Sequence, residues 1–152
     1  MTSQLVTAAR KYIGTKWRHR GRSVHGVDCA GLGILAYRDC GVELPDFTLY
    51  GREPHNDGLV TYMTAALGDP LWIAGGVLGD RQHLLWLLKD GDVIVQRFER
   101  EPHHVAIVAE VMYGDKAAFN VVHADGQAGR VLEVRLDAPS MERITHIYRR
   151  AV

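Results

Sequence analysis

The sequence predicts an α+β fold, and three observations carry the prediction. Helical periodicity is confined to the first half of the chain, and a period of two begins after Lys89. The alternating runs are short, rich in Val and Ile, and separated by turn signals. Helices that precede strands in this way pack as a layer on one sheet, unlike the alternation of a doubly wound fold.

The elements follow in order. Leu5, Ala8, Ala9, Tyr12 and Ile13 mark one face of a first helix, with Thr2 or Ser3 as cap and Gly14 as stop. Thr15 to Val27 holds glycines, basic residues and histidines without apolar periodicity and reads as a loop. Asp28 caps a second helix from Cys29 through Leu32, Leu35 and Tyr37 to Cys40, where Gly41 offers a left-handed stop. Glu43 to Pro54 is irregular. Asn56 or Asp57 caps a third helix through Leu59, Tyr62, Met63, Ala66 and Leu67, and Gly68 to Gly79 reads as a long loop, a candidate lid.

Strands are expected at Val93–Phe98, Val105–Met112, Ala117–His123, Val131–Leu136 and Ile144–Tyr148. Asp90-Gly91, Gly114-Asp115 and Asp125-Gly126 turn the chain between runs. The expected product is an antiparallel meander of about five strands, covered on one face by the helical half. No repeat or linker interrupts the pattern, so residues 1–152 read as one domain.

Composition narrows the function classes. Eighteen Lys+Arg balance 18 Asp+Glu, so nothing in the net charge drives binding to nucleic acid or an anionic membrane surface. No run approaches the ~18 consecutive apolar residues of a membrane-spanning helix, and Arg10 and Lys11 interrupt the N-terminal apolar pattern. The expectation is therefore synthesis in the cytoplasm without a signal peptide. Cys29 and Cys40, if on one helix, stand about 16 Å apart, beyond disulfide reach. Both are expected as free thiols, Cys40 in the core.

Asp28-Cys29-Ala30-Gly31-Leu32 places a thiol in the first turn of a helix, where free N–H groups and the helix dipole favour thiolate. A cysteine nucleophile needs a base and a group that orients the base. His104 opens one strand and His123 ends the next, so an antiparallel pair brings them across the ladder from each other. His103 competes with His104, and Asp125 with His123. Cys29 also has an inert reading, since free Cys is among the most buried residue types.

Val27-Asp28-Cys29-Ala30-Gly31-Leu32, Gly41-Val42-Glu43-Leu44-Pro45, Asp90-Gly91-Asp92-Val93, His104-Val105-Ala106-Ile107-Val108 and Val122-His123-Ala124 fall in the order of the NlpC/P60 cysteine peptidases, which the chain resembles. The resemblance implies a papain-like core, with Cys29 as nucleophile, His104 as base and His123 as the residue that orients it. It also implies hydrolysis of peptide bonds in bacterial cell-wall stem peptides, commonly between D-γ-glutamate and a diamino acid, without metal or cofactor. The backbone N–H of Cys29 is the natural oxyanion donor. Trp17 stands where the family usually has a Tyr at the oxyanion site, and Asp46 where an Arg often follows the Leu-Pro pair.

Arg18-His19-Arg20-Gly21-Arg22 narrows the resemblance to the short stand-alone members of bacteriophage tail modules. That implies a virion location and tail-tip partners. Trp17, Asp28, Arg18 and Arg20 are the candidate substrate or oxyanion residues; Arg18, Arg20 and Arg22 could hold wall carboxylates bidentately or form a solvated loop. His19 and His25 near Cys29 lack the spacing of a zinc site. The span Tyr50 to Leu88 exceeds the family pattern and is a lid or a docking surface, with the Leu84 to Leu88 run read as core. Two rivals remain: a structural tail adaptor with weak or no activity, and a related acyltransferase or amidase.

Overall fold

Ser3 opens the first helix, α1 (Gln4–Arg10), by accepting a hydrogen bond from the Val6 N–H at 3.1 Å. The computed structural model of the chain describes residues 2–52, 58–75 and 81–152. The expected loop after Thr15 contains a small hairpin, β1 (Arg22–Ser23) with β2 (Gly26–Val27). Its glycines explain why apolar periodicity missed it: a Cβ on Gly21 would lie 2.3 Å from the Gly26 carbonyl oxygen, so backbone contact, not side-chain burial, closes the turn.

Asp28 caps α2 (Cys29–Asp39), its carboxylate accepting from the Gly31 N–H at 2.8 Å, and Gly41 beyond the helix end takes a φ of 83°. The third helix, α3 (Leu59–Leu67), starts from Gly58 in a left-handed conformation with no side-chain cap; Asn56 and Asp57, the expected caps, lie outside the described residues. The stretch read as a long loop contributes a short strand, β3 (Trp72–Ile73), while its end at 76–79 lies outside the described residues. A 3-10 turn at Arg81–His83 leads into α4 (Leu84–Leu87).

The remaining strands are β4 (Val93–Phe98), β5 (Glu101–Tyr113), β6 (Lys116–Asp125), β7 (Arg130–Arg135) and, after α5 (Ala138–Glu142), β8 (Ile144–Tyr148). The sheet has six strands among the described residues, in the order β3-β8-β4-β5-β6-β7, every pair antiparallel. This corrects the expected five-strand meander. The run from β4 to β7 is a meander, but β8 returns to the other side of β4, pairing Ile94 with Ile147, and β3 adds an edge beyond it.

The N-terminal helices cover one face of the sheet as expected, but the other face is covered too. Val93, Val95, Val105, Ile107, Val122 and Ala124 pack against α1, α2 and α3 in one core. Ile94, Ala106, Val108, Phe119, Val121 and Ile147 form a second core on the opposite face, closed by Trp72, Leu84 and Leu88. Trp72 is 2% exposed and Leu84 1%, and burying a side chain of this kind is worth about 1.5–3 kcal/mol. The unbroken runs Val93-Ile94-Val95 and Val105 to Ala109 already carry this two-sided burial, because a half-solvated strand alternates with polar residues.

Candidate active site

The start of α2 is held by a dense polar network around Asp28, which is 4% exposed. One carboxylate oxygen accepts from the Gly31 N–H and from Arg22 Nη1 at 3.0 Å; the other accepts from the Arg20 N–H at 2.8 Å and from the Tyr50 hydroxyl. Arg22 reaches on to Asp46, Nε to Oδ2 at 3.0 Å, and to the Tyr50 hydroxyl oxygen. Arg20 is held at a φ of 62°, strained for a residue with a side chain, by its own N–H on Asp28 and by Nε donating to the Tyr50 carbonyl at 2.8 Å. Gly31 is required by contact: a Cβ there would lie 2.1 Å from the Gly21 carbonyl oxygen. The helix that carries Cys29 is thus locked against the preceding loop.

The Cys29 thiol is partly exposed and lines a cavity. Burial and the Asp28 carboxylate push its pKa up to about 11, while the nearby N–H groups of Val105 and Ala30 pull the other way. This corrects the expectation that the helix start yields a thiolate. Taking a charge out of water outweighs the dipole, and the resting group is a thiol.

His104 Nε2 lies 2.8 Å from His123 Nδ1, with the rings edge to face. The β5–β6 register begins at Ile107 opposite Val122, so on the same alternation the two histidines are diagonal neighbours, not directly opposite ones. Both lie on the second-core face, with Ala106 and Val121. Burial, reinforced by His123, lowers the His104 pKa to about 3, and burial also lowers that of His123. Asp125 acts on both in the opposite sense. A neutral thiol therefore faces a cavity shared with a neutral imidazole pair.

A cavity of about 370 Å³, within the usual range for a small-molecule site, is lined by Cys29, His104 and His123 together. Trp17 lines it as well, stacked on His19 with centroids 6.4 Å apart and carrying the Arg52 guanidinium over its ring at 5.7 Å. His103 also lines it, stacked on Phe98 at 4.5 Å.

Two expected substrate residues do not reach this space. Arg18 is exposed and outside the lining, and Arg20 is turned to the Tyr50 carbonyl. Asp28 reaches the wall, but its oxygens are fully engaged within the protein. Three lining residues had no sequence signal: Tyr50, in an irregular stretch, Arg52, and Arg143 at the end of α5. Asp46 forms an ion pair with Arg22. Among the described residues no cluster of three or more His, Cys, Asp or Glu is placed to hold a metal, and no helix is long and apolar enough to cross a membrane.

No family model matches the sequence, and no curated protein does. Solved structures do match. An NlpC/P60 family protein from Bacillus cereus superposes with a TM-score of 0.61 at 21% identity, covering 98% of this chain and 40% of that one. The NlpC/p60 domain of the peptidoglycan hydrolase SagA gives 0.55 at 19% identity, over 96% of each chain. The P60 domain of an antigen from M. avium subspecies paratuberculosis gives 0.54 at 18% identity, over 97% of this chain and 91% of that one. The chain thus spans about two-fifths of the Bacillus protein and nearly all of the two isolated domains. The architecture is the α+β fold of NlpC/P60 proteins.

Proposed function

We propose, from the premise of an NlpC/P60 fold, that this chain is a cysteine endopeptidase of bacterial cell walls. It cuts stem peptides at the bond between D-γ-glutamate and a diamino acid. The observation that carries the reading is the 2.8 Å contact between His104 and His123 in the cavity that Cys29 also lines. SagA, a fold neighbour, is named as a peptidoglycan hydrolase, and the sequence motifs point to the same substrate.

The chemistry follows from the residues. Cys29 Sγ attacks the amide carbon as His104 takes the thiol proton, and the oxyanion is held by the Cys29 N–H at the start of α2. The tetrahedral adduct collapses to a thioester as His104 returns the proton to the departing amine. Water then attacks the thioester with His104 again as base, releasing the new carboxylate and restoring the thiol. His123 keeps the imidazole in the tautomer this requires, and Trp17 forms part of the wall beside the reacting carbonyl.

The test is a digest of purified diaminopimelate-type peptidoglycan by wild type and Cys29→Ala, with fragments weighed by mass spectrometry. Fragments released by wild type alone, ending at D-glutamate, support the proposal; equal release by both proteins overturns the mechanism.

The likeness of Arg18-His19-Arg20-Gly21-Arg22 to phage tail peptidases supports a place on a phage or phage-like particle, with tail-tip proteins as partners. Proteomics of purified particles tests it, and absence of the chain from the particle removes that part. A second reading, a tail adaptor of low activity, is favoured by one observation: Leu85 and Trp86 on α4 project outward, Trp86 at 87% exposure. Two folded proteins that both leave peptidoglycan intact would favour that reading.

A further inference from the structure

Resting on the peptidase reading, we infer that Arg143 is a specificity residue that binds a carboxylate on the departing side of the scissile bond, selecting diaminopimelate over lysine. The arginines that the sequence offers for this task are spent elsewhere. Arg22 is committed to Asp28 and Asp46, Arg20 to the Tyr50 carbonyl, and Arg18 lies outside the cavity.

Arg143 comes from the far end of the chain and lines the same cavity as Cys29 and His104. Its backbone is held where α5 meets the end of β4, the Arg143 carbonyl accepting from the Arg97 N–H at 2.8 Å. Its side chain makes only long contacts, to the Pro139 carbonyl at 3.5 Å and Ser140 Oγ at 3.3 Å. Among the described residues it makes no ion pair; the nearest acidic influence is exposed Asp137, whose pKa its charge helps to lower, and the two long contacts leave donors of the fork uncommitted. A half-buried guanidinium that no carboxylate holds in an ion pair is the complement of an anionic ligand group.

The side of the cavity follows from the chemistry. His104 delivers its proton to the departing amine, so the residue leaving with that amine lies against the His104 wall. Arg143 stands on that wall, close enough for its charge to lower the His104 pKa. Asp125 shares the wall, with one oxygen turned to the N–H groups of Gln127 and Ala128. Diaminopimelate ends its side chain in an ammonium and a carboxylate, whereas lysine ends in an ammonium alone. Asp125 faces the group the two share, and Arg143 the group only diaminopimelate has.

The test compares L-Ala-γ-D-Glu-diaminopimelate with L-Ala-γ-D-Glu-L-Lys as substrates for wild type, Arg143→Gln and Arg143→Lys. A bidentate charge-assisted contact predicts a wild-type preference in kcat/KM of roughly 10- to 100-fold for the diaminopimelate peptide. Arg143→Gln should lose that preference, the ratio of kcat/KM for the two peptides falling toward one, with an unchanged circular dichroism spectrum and melting temperature showing that the variant is folded. Arg143→Lys should keep part of it, having charge but no fork. An active wild type without preference, or a preference that survives Arg143→Gln, overturns the inference and leaves the peptidase reading standing. Cleavage of neither peptide by folded wild type overturns both.

Discussion

His104 Nε2 and His123 Nδ1 are 2.8 Å apart, and one hydrogen must lie between them. If Nδ1 of His104 is to receive the thiol proton, Nε2 carries the hydrogen and donates it to His123. His123 then carries its own hydrogen on Nε2, which is buried without a partner among the described residues. An orphaned buried donor costs about 1–3 kcal/mol, so the pair holds one reactive tautomer against stability.

His123→Leu separates these two effects. It should lower kcat/KM by roughly 10²- to 10⁴-fold, the range for losing a base-orienting group, while leaving the melting temperature unchanged or raised. A large drop in melting temperature would show instead that the ring is a packing element.

The partly exposed Cys29 thiol, its pKa raised, should resist alkylation at neutral pH. In the unfolded chain Cys29 ionises near 9, and in the fold near 11, so its reaction rate with iodoacetamide should keep climbing through pH 7 to 9. A plateau below pH 7 would instead reveal a thiolate–imidazolium pair at rest.

Acid should weaken the fold through His104. Unfolded, the imidazole protonates near 6.5; folded, it stays neutral to about 3, so between these values the unfolded chain binds more protons. The contribution is complete above about pH 6.5 and is lost as pH falls toward 3. Urea midpoints at pH 7 and pH 5 should differ less in His104→Gln than in wild type, and an equal difference would assign the acid sensitivity to other groups.

Tyr50→Phe removes the hydroxyl that donates to Asp28 and receives Arg22. Leaving that buried carboxylate short of a donor should cost about 1–3 kcal/mol in a urea melt. An unchanged midpoint would mean that water replaces the hydroxyl.

Gly31→Ala should be worse. Its methyl would stand 2.1 Å from the Gly21 carbonyl oxygen, with backbone rather than a flexible side chain in the way. Shifting the start of α2 is expected to cost more than about 3 kcal/mol, read as loss of soluble protein or a collapsed melting temperature.

The cysteine and histidines were legible because each sits where local rules apply: Asp28 is a helix cap with an accepting carboxylate, and His104 and His123 flank apolar runs, although β5 begins at Glu101 and β6 runs on to Asp125, so neither histidine is the strand end that the sequence suggests. Tyr50, Arg52 and Arg143 were not legible, because tertiary packing alone brings them to the cavity. The second core was written in Val93-Ile94-Val95, but the partners that cover it, Trp72 and Leu84, lie in a stretch with no period of its own. β8 was found as a strand and misplaced in the sheet, since pairing order is not a local property.

Cys29 packs with the first core and the two histidines rise from the face of the second, so the proposed nucleophile and its proposed base are referenced to different hydrophobic assemblies. Reactivity is then a sum over both assemblies. Loosening either one is expected to shift the two groups relative to each other. What looks in the sequence like extra length between the motifs is, through Trp72, Leu84 and Leu88, part of the frame that aims the imidazole. Shortening it is expected to lower the proposed peptidase activity before it unfolds the protein.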